Sequence, residues 1–148
     1  MSDLQGGCVL CQSTGGVLVA TGPHWRVIRA EDPAFPAFYR VVWAEHVAEF
    51  SSLPVSARAE CMSVVCAVEQ VLLRVLRPTK VNLAALGNVV PHLHWHVIAR
   101  FDWDSHFPQP IWGEPQRHVE SAAALLAVTL PELDREVDLA VGDLSHGG

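Results

Sequence analysis

The spacing of hydrophobic positions changes along the chain, and each change predicts an element. Residues 17–20 and 25–29 are short apolar-rich runs either side of a Gly22-Pro23 turn and predict two strands. Pro33 and Pro36 hold the next stretch irregular, residues 39–44 predict a third strand, and residues 46–52 a short turn or half-helix. From Pro54 the period lengthens to that of a helix. Glu60, Ser63, Ala67, Gln70, Arg74 and Arg77 recur at three- and four-residue steps, with Val64, Val65, Val68, Val71, Leu72 and Val75 on the opposite side. Pro54 suits the first turn, where a missing N–H costs nothing, and Arg77-Pro78 ends the helix because the residue before proline avoids helical dihedrals. The helix is a packing element and carries no chemistry.

Two more strands, residues 81–86 and 92–100, are joined through Gly87-Asn88-Val89-Val90-Pro91. An aromatic and proline-rich stretch, residues 101–115, comes next, and residues 119–128 and 131–139 predict helices. Strands, one long helix and strands again fit an α+β domain, with an antiparallel sheet of five or six strands packed against the long helix. No repeat, low-complexity tract or linker divides the chain, so residues 1–148 are read as one domain with residues 101–148 as a C-terminal extension.

The fifth strand carries the chemistry. In an extended Pro91-His92-Leu93-His94-Trp95-His96-Val97-Ile98-Ala99-Arg100, alternation puts His92, His94 and His96 on one face and Leu93, Trp95 and Val97 on the other. The apolar row can pack on the helix and leave the imidazoles together on the open side. Three uses compete: an incidental polar face, a metal site, and phosphorus chemistry. For the last, a neutral imidazole is a good nucleophile near pH 7 and cationic neighbours stabilise phosphoryl oxygens.

Composition narrows the partners. Half of the 148 residues are hydrophobic and 18% are charged, which excludes a disordered chain. The net charge of -6, from 16 acids against 10 bases, argues against a nucleic-acid polymer or an anionic membrane but leaves room for a local anion site. No apolar run reaches the roughly 18–20 residues of a membrane span, and residues 1–14 lack the pattern of a secretory leader, so a cytoplasmic location is expected. Of the four cysteines, Cys61 and Cys66 fall inside the helix, as small hydrophobes. Cys8-Val-Leu-Cys11 can clamp a metal with two thiolates, but two ligands do not close a tetrahedral site, and a reduced pair in a loop is the alternative. A thioredoxin-like role fits less well, because such motifs open a helix after a strand and this pair precedes any strand.

The run His92-Leu93-His94-Trp95-His96-Val97-Ile98 resembles the signature of the histidine triad (HIT) family, His-φ-His-φ-His-φ-φ with φ apolar. The likeness extends to Asn82, Gly87-Asn88, His46 and the Cys8/Cys11 pair. Residues 102–112, with Phe107-Pro108-Gln109-Pro110-Ile111-Trp112, are similar to a bacterial, hydrolase-like branch. The resemblance implies a HIT-like fold and hydrolysis or nucleotidyl transfer at an α-phosphate by two in-line displacements. The substrates it implies are dinucleoside polyphosphates or nucleoside phosphoramidates. On that template His94 is the nucleophile, His96 hydrogen-bonds the phosphate or bridging oxygen, and His92 orients the site. Asn82, Gly87 and Asn88 would bind substrate. Cys8, Cys11, His46 and His92 form the metal set of zinc-bearing bacterial relatives, which implies a structural zinc and no catalytic metal. A homodimer joined across the sheet edge is implied as well.

The chain also departs from the family pattern. Ala37-Phe38 stands where many relatives have Gly-His, Val89 stands where a serine often follows, and the segment from Asn82 to Gly87 is one residue shorter than in many relatives. Arg40, Lys80 or Arg100 are the candidates to replace those phosphate contacts. Trp103, His106, Phe107 and Trp112 are candidates to cover the cleft or reach a second subunit. Two other classes fit the same residues: a nucleotide-binding or adaptor protein, and a zinc-binding structural domain whose histidines all serve metal.

Overall fold

The computed structural model describes residues 7–146; residues 1–6, part of the segment read above for a leader, and residues 147–148 of the C-terminal extension lie outside the described residues. Five strands, β1 (Val17–Thr21), β2 (Trp25–Arg29), β3 (Phe38–Trp43), β4 (Lys80–Ala84) and β5 (His94–Arg100), form one antiparallel sheet in the order β1-β2-β3-β5-β4. Among the described residues three α-helices accompany it: the one-turn α1 (Val9–Gln12), the long α2 (Val55–Leu76) and the C-terminal α3 (Leu130–His146). No helix among the described residues is long and apolar enough to cross a membrane.

Strand alternation divides the sheet into two unlike faces. The registers Val27↔Val41, Val41↔Trp95, Tyr39↔Val97 and Val81↔Ala99 line one face with apolar side chains. Val64, Val65, Val68, Val71 and Leu72 of α2, with Leu133, Val137 and Val141 of α3, close the core against it. At about 25 cal/mol per Å² of apolar surface removed from water, this layer is the main source of stability. Asp134 fixes α3 to the sheet by accepting hydrogen bonds from the Tyr39 hydroxyl at 2.6 Å and the Arg29 Nε at 2.9 Å.

Several expectations need correction. Pro54 is the N-cap of α2 and not part of its first turn, and Arg77 closes the helix in the left-handed region at φ 49°. Cys66 is exposed, because it continues the polar row of Ser63 and Gln70, while Cys61 is buried. Val75 is only half-buried. Of residues 119–128 only Ala122–Leu125 form a 3-10 turn, since left-handed Ser121 and extended Leu126 stop the α-helical path on either side. β5 starts at His94, two residues later than expected. Leu93 is diverted: its N–H donates to the Val47 carbonyl at 2.7 Å and its carbonyl accepts from Trp43 N–H at 3.1 Å.

The other face of the sheet is covered at two places. Cys8 and Leu10 pack on Ile28 and Val42 near one end. At the other, Ile111 packs on Phe35, Phe38 and Ile98. The segment carrying Ile111 has no regular structure and is held by Arg100, which is 2% exposed. Arg100 donates to both Asp104 carboxylate oxygens (2.8 and 3.1 Å), to the Gln109 carbonyl (2.7 Å) and to Asn82 Oδ1 (2.9 Å). Asp104 in turn accepts the backbone N–H groups of Phe101, His106 and Phe107. Burial alone would raise the Asp104 carboxyl pKa, but the bonds from Arg100 and these three amides outweigh it and hold it below the usual carboxylate range.

Asp104→Ala should therefore destabilise the protein by about 3–5 kcal/mol, the cost of leaving a buried guanidinium without its partner, read as a lower urea midpoint. A depressed carboxyl contributes stability above its unfolded value near 4 and loses it as pH falls through the folded one, so the difference between wild type and Asp104→Ala should shrink in acid. Equal urea midpoints at pH 7 would show the clamp to be dispensable.

Candidate active site and metal centre

Between the two covers the sheet stays open, and β5 places His94 and His96 there. Their ring centroids lie 4.9 Å apart at 82°. Arg40 enters from β3, where it pairs with His96 across the strands. These side chains, with Val9, Leu10, Leu86, Gly87, Asn88, Val89, Val90 and Trp112, line a cavity of about 510 Å³. Gly87 turns the loop over the cavity at φ 67°, a conformation a side chain would strain.

Hydrogen bonds fix the chemistry of each ring. His94 Nδ1–H donates to the His92 carbonyl at 2.6 Å, because a carbonyl can only accept. The lone pair of His94 is therefore on Nε2. Arg40 Nε–H donates to His96 Nδ1 at 3.4 Å, because a guanidinium has no lone pair to offer, and this puts the His96 proton on Nε2. The two rings thus present an acceptor and a donor. Burial, outweighing the hydrogen bond to the His92 carbonyl, lowers the His94 pKa with a smaller push from Arg40, while burial, His94 and Arg40 lower His96 to about 3.

His92 turns away from this cavity. Its Nε2–H donates to the Trp43 carbonyl at 2.6 Å, so its Nδ1 lone pair faces His46 Nδ1 at 3.2 Å, Cys8 Sγ at 3.5 Å and Cys11 Sγ at 3.4 Å. Cys11 Sγ is 3.3 Å from His46 Nδ1, and the four ligand atoms all lie within 4.8 Å of one another. A tetrahedral site with nitrogen and sulfur donors has N–N edges of about 3.3 Å and N–S edges of about 3.6 Å, so the cluster fits a metal ion. Arg26 secures the chain that carries both cysteines by donating to the carbonyls of Leu10, Ser13 and Thr14. Burial, outweighing the Trp43 hydrogen bond, lowers the His92 pKa and favours the unprotonated ring that a metal requires.

The predicted site residues separate into three groups. His94, His96, Arg40, Gly87 and Asn88 share the cavity. His92 joins Cys8, Cys11 and His46, so the three imidazoles do not face one space. Asn82 and Arg100 are bonded to one another away from His94, and Lys80 Nζ donates to the Val81 carbonyl. Of the four tail aromatics only Trp112 lines the cavity, with its ring 5.3 Å from that of His96. Trp103 stacks on Phe101, His106 meets Phe35, and Phe107 lies near Arg100. Val9 and Leu10 also line the cavity, and the sequence marks them only by their place between two metal-type cysteines, since the intervening residues must go where the thiolates go.

A family model of the HIT domain matches residues 14–103. The chain belongs to the HIT family. The match stops short of Cys8 and Cys11 on one side and Trp112 on the other, so parts of both sites lie outside the HIT core. No curated protein matches the chain. Among solved structures, a histidine triad protein from Bradyrhizobium japonicum is 28% identical, with a TM-score of 0.68 over 84% of this chain and 92% of that one. A histidine triad protein from Marinobacter aquaeolei is 23% identical, with a TM-score of 0.70 over 88% and 92%. A Zn-bound histidine triad family protein from Mycobacterium smegmatis shares the fold at 16% identity, TM-score 0.63, over 96% and 98%.

Nitrogen-15 NMR should find His94 as the Nδ1–H tautomer and His96 as the Nε2–H tautomer, with His96 uncharged down to pH 5. Because the folded His96 value lies below the unfolded one near 6.5, its contribution to stability is present above about pH 6.5 and lost as pH falls toward 3. An imidazolium signal for His96 at pH 6 would contradict the geometry.

Proposed function

We propose that this protein is a nucleotide hydrolase or nucleotidyl transferase acting at an α-phosphate through a covalent bond to His94 Nε2. The observation that carries this reading is the His94–His92 hydrogen bond, which leaves an unprotonated ring nitrogen in a cavity that also holds a guanidinium. The Nε2 lone pair attacks phosphorus and the bond to the leaving group breaks, its electron pair departing with that group. Arg40 and the His96 Nε2–H stabilise the charge on the phosphoryl oxygens. Water, or another acceptor, then attacks the nucleotidyl-histidine; the P–N electron pair returns to Nε2 and the proton of the incoming group goes to solvent. Gly87 and Asn88 are read as walls of the phosphate site. The apolar side chains of Val9, Leu10, Val89 and Val90 suit a flat heterocycle.

Quenching turnover in denaturant at alkaline pH, where a phosphorus–histidine bond survives, should yield a nucleoside-monophosphate adduct on the His94 peptide. His94→Ala should lower kcat by about 1000-fold or more without loss of folding. Turnover by His94→Ala at a wild-type rate, with no adduct in wild type, would leave a nucleotide-binding protein.

The Cys8, Cys11, His46 and His92 set is read as a structural zinc site, supported by its donor types and by the Zn-bound relative. A bound ion would tie α1 to the sheet and complete the coordination of His92; it supplies no step of the reaction. The partner is read as a second copy joined across the sheet edge, where β4 leaves Leu83 exposed. Native mass spectrometry should show a dimer with one zinc per chain, retained in His94→Ala and lost in Cys8→Ser/Cys11→Ser. Zinc lost equally in His94→Ala would place that ring among the ligands.

A further inference from the structure

Trp43, the last residue of β3, is 2% exposed, yet its indole N–H has no hydrogen-bond partner among the described residues. Folded proteins leave few buried donors in that state, and each one calls for a partner. Trp43 lines a separate cavity of about 230 Å³, which shares no lining residue with the cavity of His94 and His96. This cavity is the space beside the ring from which a partner can come.

The start of α2 opens on the same space. Pro54, its N-cap, offers no side-chain hydrogen bond, and no acid stands in the first turn. The Arg58 N–H is taken by the Pro54 carbonyl at 3.0 Å, but the N–H groups of Val55, Ser56 and Ala57 have no partner among the described residues. Pro54, Ser56 and Ala57 line the cavity, so the positive end of a 22-residue helix faces it. No lysine or arginine does. The lining also carries acceptors. Glu60 accepts the His24 Nδ1–H at 3.0 Å, with His24 stacked on the Trp43 ring at 5.9 Å. Glu45 is exposed and makes no ion pair among the described residues. A bare anion would meet the free N–H groups but also two carboxylates, and a bare cation would meet the carboxylates but also an uncapped helix end. A molecule carrying both charges a few atoms apart satisfies both.

We propose that this cavity binds a small zwitterionic α-amino acid, its carboxylate accepting from the Trp43 indole and the α2 amides and its ammonium group held by Glu45 and Glu60. At about 230 Å³ the cavity is below the roughly 300–1,000 Å³ of pockets for drug-sized ligands, which limits the occupant to an amino acid as small as glycine, alanine or serine. Binding makes and breaks no covalent bond and does not depend on the reading of His94 above.

The test titrates the nitrogen-15-labelled protein at pH 7 with glycine, L-alanine and L-serine, and in parallel with acetate and with methylammonium. The indole signal lost in Trp43→Phe identifies Trp43 among the five tryptophans. Each amino acid should shift that signal and the Ser56 and Ala57 amide signals saturably, with a Kd on the order of 1 mM. Acetate and methylammonium should bind at least about tenfold more weakly, and Glu45→Gln should weaken amino acids about threefold without weakening acetate. Pro54→Asp puts a carboxylate of the chain on the free amides, so it should raise the urea midpoint while removing amino-acid binding, which separates loss of the site from loss of the fold. Acetate binding as tightly as glycine, with no effect of Glu45→Gln, would make the cavity a simple anion site and overturn the proposal. No saturable shift from any probe up to about 50 mM would overturn it too, and leave the indole to water.

Discussion

The carbonyl of His92 accepts the Nδ1 proton of His94 across 2.6 Å, and an imidazole protonated at Nδ1 must carry its lone pair at Nε2. That one contact ties together parts of the molecule that otherwise have little to do with each other. His92 presents its carbonyl to His94 while its own buried ring is turned away from the cavity, anchored by the Trp43 carbonyl on one nitrogen and by the cysteine and His46 cluster on the other. At the turn that reverses His92 the Leu93 N–H bonds to the Val47 carbonyl, while the Leu93 carbonyl stays paired with the Trp43 N–H of β3. Leu93 stays there because its side chain is buried in the core beneath the sheet. The apolar side of β5 therefore sets the direction of the ring on its polar side.

The fold was legible where hydrophobic period and side-chain direction agree. α2 could be read from its valine row, and the two-residue alternation of Trp95 and Val97 against His94 and His96 correctly divides β5. The fate of His92 was not legible from alternation, because a period of two assumes that the strand continues, and the 44–47 turn ends it. The resemblance to HIT relatives had grouped His92 with Cys8, Cys11 and His46, which is where the structure brings it. Arg100 and Asn82 were legible as residues of the open face but not as partners of each other. Their bond exists because residues 101–113 fold over that face, and this stretch has no period from which its path could be read. Residues 119–128 misled for the opposite reason: alanine and leucine favour helix, but the backbone at Ser121 and Leu126 obeys the surrounding packing instead.

A flat antiparallel sheet offers no cleft of its own, so this one is made by what lies on either side of it. At one end of the strands the cover is a single helical turn, too short to be stable in water by itself. Arg26, the burial of Leu10 and the cysteine and histidine cluster hold it down. At the other the cover is an irregular segment fixed by the buried Arg100–Asp104 pair. Both anchors are polar and specific, as they must be where short or irregular chain has too little apolar surface to hold itself. Val9 and Leu10 on one cover and Trp112 on the other become the walls of the cavity as a direct result.

Charge is distributed to match. The chain as a whole carries -6, yet the floor of the cavity has a guanidinium without a carboxylate partner among the described residues. An acidic surface repels polyanions in general, so affinity for a phosphate must be generated locally, by desolvation and by a cation left uncompensated. Supplying that cation from arginine, which keeps its proton even when burial disfavours the charge, frees both histidines to remain neutral. A histidine cation would have had to surrender that neutrality. The division of labour is therefore between a permanent charge on β3 and two uncharged rings on β5, one with a lone pair and one with a proton facing the same space.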